Sequence, residues 1–145
     1  MYISTTHLER CLQTLERSVQ QLNTVEDKSD IDYEMYRHAV IKGFELSLEV
    51  CGKLLRKALK AYGGSPKEVD ALFYNDVFRR CAKHGLLEVE LVERWSQYRA
   101  NRNHTAHDYG EHFATQTLEL ISDFLMDAHC ILIRLQQTFG NTADA

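Results

Sequence analysis

Apolar residues recur at three- and four-residue steps near the start of the chain, at Leu8, Leu12, Leu15, Val19 and Leu22. This spacing constrains the fold more than any other feature. It draws one stripe down an α-helix and does not suit a strand, whose faces alternate every second residue. A first helix is therefore expected over about residues 5–25. The spacing returns in Tyr36, Val40, Phe44, Ser47/Leu48, Cys51, Leu54/Leu55, Ala58 and Tyr62, which predicts a second, longer helix. The charged run EDKSDID between the two reads as a short connection. Gly43 and Gly52 lie inside the second helix at a cost of about 1 kcal/mol each relative to alanine. Close approach by neighbouring helices is the expected reason for both.

Gly63-Gly64 suits a left-handed helix end, and Ser65-Pro66-Lys67-Glu68 suits a new beginning. Serine is placed as the N-cap, proline at the first helical position, and Glu68 as the partner in a capping box. The third element carries Val69, Leu72, Phe73, Val77, Phe78 and Cys81, with an interruption expected near Tyr74-Asn75 and an end at Gly85. A fourth helix is expected from about Val89 to His107. A fifth follows Gly110 with Phe113, Thr117, Leu120/Ile121, Phe124, Ala128, Ile131/Leu132 and Leu135. Residues 139–145 read as a frayed tail. No segment alternates like a strand and none repeats. The expectation is all-α: one domain over residues 1–145, an antiparallel up-and-down four-helix bundle with a short accessory helix.

One proline and seven glycines leave little room for a turn-rich β fold. A formal charge of −4 argues against nonspecific coating of nucleic acid, though not against a local basic site. No run is long and apolar enough for a membrane span, and the charged N-terminus does not read as a signal peptide. The four cysteines, Cys11, Cys51, Cys81 and Cys130, form no C-x-x-C pair and read as reduced, buried thiols of a cytoplasmic protein.

Local rules conflict in YRANRNHTAHDYGE, residues 98–111. At about 100° per residue, Leu91, Trp95, Tyr98, Arg102 and Ala106 share one stripe, so Arg102 stands where a leucine is expected. A cation facing a core is costly unless a carboxylate, a ligand or a second subunit meets it. Arg99 lies about 60° away, at the edge of the stripe. Asn103 and His107 are one turn apart, close enough for the amide to orient the imidazole. Together they make a plausible set of fixed cation, titratable ring and orienting amide. From Arg94 to His107 three arginines and two histidines occur without an acid, and Trp95, Tyr98 and Tyr109 offer rings for stacking a base. Two plainer readings stay open. Basic residues suit a helix C-terminus, and His104 with His107 and Glu111 or His112 could hold a metal.

The ordered set Arg102-Asn103-x-x-x-His107-x-Tyr109 resembles the R-N-x-x-x-H-x-Y signature of HEPN domains, in particular the HepT-like proteins paired with minimal nucleotidyltransferases. The run FELSLEVCGKLLRKALKAYG is similar to that family's E-L-x-x-E-x-x-x-K-x-L-K pattern, and SPKEV…VFRRCAKHGLL…W resembles its central half. Many relatives read H-T-Y-D-E where this chain has His107-Asp108-Tyr109-Gly110-Glu111, so tyrosine and glutamate keep their places.

The resemblance implies a metal-independent endoribonuclease toxin of a type VII-like toxin–antitoxin pair. It implies no cofactor and a homodimer whose paired motifs form a cleft for RNA, with tRNA the expected class. It assigns Arg102 and His107 catalytic roles, leaves Asn103, Arg99 and His104 in support, and makes Tyr109 the acceptor of AMP from a cognate nucleotidyltransferase antitoxin. The competing expectation is a non-catalytic partner that presents substrate to that nucleotidyltransferase.

Overall fold

The computed structural model describes residues 1–105 and 111–140, with side chains described except at residues 103–105 and 111–114. Among them run six helices: α1 (Thr6–Thr24), α2 (Ile31–Ala61), α3 (Pro66–Ala71), α4 (Tyr74–Lys83), α5 (Val89–Thr105) and α6 (Glu111–Phe139). The long helices α1, α2, α5 and α6 form the antiparallel bundle, and α4 wedges against both α2 and α5.

The apolar stripes account for this packing. Leu8, Leu12, Leu15 and Leu22 are buried along α1, facing Val40, Phe44, Leu48, Cys51 and Leu55 of α2. Between the two helices, Asp27 accepts hydrogen bonds from the backbone N–H and the hydroxyl of Ser29, and Asp30 caps α2 by accepting from the N–H of Asp32. Both interior glycines of α2 mark close approaches. A Cβ at Gly43 would lie 3.2 Å from Cδ1 of Leu15 on α1, and one at Gly52 would lie 2.6 Å from Cε2 of Tyr74 on α4.

The third sequence element divides in two. The break falls at Leu72 and Phe73, two residues before the expected Tyr74-Asn75, and Phe73 points into solvent rather than into the core. Arg56 of α2 holds the break: its Nη1 and Nη2 donate to the carbonyls of Val69 (2.7 Å) and Leu72 (2.8 Å). The Val69 carbonyl also accepts the N–H of Leu72 (3.2 Å), so Arg56 adds a second donor there and caps the Leu72 carbonyl at the helix end. Gly63 ends α2 with φ +92, its N–H bonded to the Lys60 carbonyl and that of Gly64 to the Leu59 carbonyl. Gly85 ends α4 in the same way, with φ +77 and the N–H of Leu86 reaching the Cys81 carbonyl. Both are Schellman ends, for which glycine supplies the left-handed residue without strain. The expected capping box at Ser65 is not formed, because Ser65 makes no side-chain cap bond, although Pro66 does open α3.

An aromatic cluster fills the bundle where α2, α4, α5 and α6 meet. Phe44 and Phe124 pack edge to face, Phe78 stacks on Trp95, and Tyr98 stands edge-on to both Trp95 and Phe124. Residue 139 does not belong to a frayed tail. Phe139 is buried, packs on Tyr62, and its carbonyl accepts from the N–H of Ile3; residues 141–145 lie outside the described residues. The cysteines are not uniformly buried either. Cys51 and Cys81 are, Cys11 is half-buried and Cys130 is exposed, because position 130 falls on the outer face of α6. Among the described residues, no helix is long and apolar enough to cross a membrane.

Candidate functional site

The stripe that buries Leu91, Trp95 and Tyr98 leads out of the core by the time it reaches Arg102, which is half-buried. Arg102 is thus spared full desolvation. It borders a cavity of about 250 Å³ whose described walls are Glu45, Glu49, Gly52, Lys53 and Arg56 of α2, Tyr74 of α4, and Arg99 and Arg102 of α5.

Tyr74 supports this cavity. Its ring occupies the space left by the missing side chain of Gly52. Its hydroxyl donates to the Leu48 carbonyl (2.6 Å) and accepts from Nε1 of Trp95 (3.0 Å). Burial, reinforced by nearby Cys51, pushes the phenol well above its ordinary range, against the opposing pull of the Trp95 N–H, Arg99 and Arg56. The group therefore stays protonated and donating. The guanidinium of Arg99 lies over the Tyr74 ring, 4.4 Å from its centroid. A cation on an aromatic face is held by the ring quadrupole without its hydrogen-bond donors being used. Arg99 and Arg102, three residues apart on α5, thereby supply two cations at one cavity wall.

Two expectations about the surrounding residues are corrected. Trp95 and Tyr98 cannot stack a base, because they are 0% and 2% exposed and belong to the core. Arg94 is not part of the basic site. Its Nε and Nη2 bind the carboxylate of Asp127 on α6 at 2.9 and 2.8 Å, and the Tyr98 hydroxyl donates to the same carboxylate at 2.6 Å. The acid missing from the local sequence is supplied by another helix. A second tie joins α5 to α6, where the buried Thr117 hydroxyl donates to Oδ1 of Asn101 (2.7 Å).

Of the expected site residues, Arg99 and Arg102 come together at the cavity. Asn103 and His104 lie in the last turn of α5, with side chains outside the description, and His107 and Tyr109 lie outside the described residues. Of the alternative metal set, His104, Glu111 and His112 lie in helices with their side chains outside the description, and among the described residues no three His, Cys, Asp or Glu side chains cluster as a metal site requires. Sequence reasoning did not place Glu45, Glu49, Lys53 or Tyr74 at the site. A signal existed for the first three: steps of four residues set Glu45, Glu49 and Lys53 on one face of α2. Tyr74 offered no comparable signal.

Comparison with known proteins agrees with this architecture. The model of the family described as "Nucleotidyltransferase substrate binding protein like" matches residues 4–137. A curated protein of Haemophilus influenzae named "Probable ribonuclease HepT" is 26% identical over 133 residues, which is 90% of each chain. A solved Haemophilus influenzae structure, described as revealing the fold of a substrate binding domain of a nucleotidyltransferase, superposes with a TM-score of 0.80 at 23% identity. It covers 92% of this chain and 99% of that one. The chain belongs to the nucleotidyltransferase substrate binding protein-like family, in its HepT-like, HEPN-type branch.

Proposed function

We propose that the chain is a single HEPN-like domain that acts as a metal-independent endoribonuclease toxin, cleaving RNA of the tRNA class in the cytoplasm. The observation that carries this reading is the pair Arg99 and Arg102, brought to one half-buried cavity in a chain whose net charge is −4. The relative named as a ribonuclease supports it.

The chemistry follows from the residue types. His107 takes the proton of a ribose 2′-hydroxyl, or gives one to the leaving oxygen. The 2′-oxygen attacks phosphorus, the bond to the 5′-oxygen breaks, and the products are a 2′,3′-cyclic phosphate and a free 5′-hydroxyl. Arg102 holds the scissile phosphate and offsets the charge that builds up as the new bond forms. Arg99 and His104 support it, and Asn103 orients the imidazole. Two copies pair so that both motifs face one cleft. A cognate nucleotidyltransferase silences the toxin when the Tyr109 oxygen attacks the α-phosphorus of ATP and pyrophosphate leaves. The added phosphate repels RNA beside His107.

Purified protein should cleave RNA in the presence of EDTA, and Arg102→Ala or His107→Ala should abolish both cleavage and growth arrest. Cleavage retained in both variants would refute the site. Intact mass after co-expression with the nucleotidyltransferase should show AMP additions that vanish in Tyr109→Phe.

A second reading is favoured by the family description and by the description of the solved relative: a non-catalytic module that presents substrate to a nucleotidyltransferase. It predicts a tight complex and no cleavage by the free protein.

A further inference from the structure

The walls of the α2–α4–α5 cavity differ in charge. Arg99 and Arg102 line it from α5, while Glu45 and Glu49, one turn apart, line it from α2. Two more cations stand at its edge. Arg56 is bound to the carbonyls of Val69 and Leu72, and Lys53 stands 3.9 Å from Glu49 in a pair exposed on both sides. Glu45 is the unusual member. Its Oε1 is shut off from water and has no hydrogen-bond partner among the described residues. A buried carboxylate oxygen without a donor is destabilising, and such a group in a native structure calls for an explanation by function or by a bound partner. A ligand that carries N–H donors at one end and negative charge at the other would match both walls.

We propose that this cavity is a base-reading subsite that takes one guanosine nucleotide of the RNA beside the scissile phosphodiester, with Glu45 as the residue that selects the base. The inference builds on the ribonuclease reading above. A volume of about 250 Å³ suits one base with part of its ribose and excludes a base pair. Guanine carries two neighbouring donors, N1–H and the N2 amino group, and a small rotation of the Glu45 side chain turns its two oxygens to accept from both. Adenine and cytosine offer one amino donor beside a ring acceptor that a carboxylate repels. Uracil offers one N–H between two carbonyls. The order of preference is therefore guanine first and uracil last. Arg99 serves twice: its plane, held on Tyr74, gives the base a flat cationic surface, and its charge faces the phosphate.

The experiment is calorimetric titration of the full-length protein with 3′-GMP, 3′-AMP, 3′-CMP and 3′-UMP, followed by sequencing of RNA ends after cleavage. The expected result is 3′-GMP binding at least tenfold tighter than 3′-UMP. Glu45→Gln should remove that discrimination while leaving phosphate-dependent binding, and Arg99→Ala should weaken all four nucleotides alike. Should Glu45→Gln fail to fold by circular dichroism, Glu45→Asp keeps the charge but withdraws it by one methylene, and should also lose the preference. Equal affinity for the four nucleotides, no binding of any, or a preference untouched by the Glu45 variants overturns the proposal. The two readings fail differently. Nucleotide discrimination that depends on Glu45 in a protein that cuts no RNA leaves the subsite standing and removes the nuclease. RNA cleavage without guanosine enrichment next to the cut does the reverse.

Discussion

Gly52→Ala perturbs the site through a single methyl group. Its Cβ would come 2.6 Å from Cε2 of Tyr74, a distance that real Cβ atoms essentially never show, so something has to move. The ring has little freedom to do so. Its hydroxyl is fixed by the Leu48 carbonyl and the Trp95 indole, and Arg99 lies over its face. Overpacking of this kind costs about 1–3 kcal/mol, and a rigid ring tethered at its tip belongs at the upper end. Alanine returns about 1 kcal/mol of helix propensity. The net destabilisation expected is about 2 kcal/mol, or a fall in Tm of about 6 °C for a chain of this length. Gly43→Ala is the internal control. Its Cβ would meet Leu15 Cδ1 at 3.2 Å and Cβ at 3.3 Å, contacts that a shift of α1 by a few tenths of an ångström relieves, so the propensity gain and the contact nearly cancel and Tm should move by less than about 3 °C. Thermal unfolding followed at 222 nm measures both. In a Tyr74→Leu background the clash disappears, and Gly52→Ala should become neutral or stabilising by up to about 1 kcal/mol. A Gly52→Ala protein as stable as wild type, or an equal penalty in both backgrounds, would refute the reasoning.

Three further outcomes are expected. Tyr98→Phe removes a hydrogen bond to the buried Asp127 carboxylate and should cost about 1.5–3 kcal/mol in chemical unfolding; under 0.5 kcal/mol would mean the contact is immaterial. A thiol reagent at pH 8 should modify Cys130 first and Cys11 more slowly, and should reach Cys51 and Cys81 only on unfolding, since both are buried and burial pushes the Cys81 thiol up to about 12. Rapid labelling of Cys51 in the folded protein would contradict the packing. Gly63→Ala, at φ +92, should destabilise by about 1 kcal/mol even though nothing lies within 4 Å of the added Cβ, whereas a purely steric account predicts no change.

How much was legible in the sequence depended on how far apart the interacting residues lie. The stripe Leu8-Leu12-Leu15-Leu22 and the glycines at 63 and 85 act within a turn or two of themselves, so helix limits were readable to within about two residues. The capping box at Ser65 was a sound local pattern that did not form; the end of α3 is held from outside, by Arg56. Phe73 shows the same limit from another side, since an apolar residue on a plausible stripe sits at the break and faces solvent at 81% exposure.

The site divides along the same line. The helical period by itself singled out Arg102 as a charge on an apolar stripe, and the ordered motif joined it to His107 and Tyr109. The sequence could not show that Trp95 and Tyr98 are core, or that Arg94 is matched by Asp127, 33 residues away. Nor could it show that a residue as small as Gly52 admits the Tyr74 ring that carries Arg99. Each of those facts is a meeting between helices. Periodicity is a property of one helix and names the face that turns inward; only the packed bundle decides which side chain stands opposite, and so which charges are matched within the fold and which line a cavity.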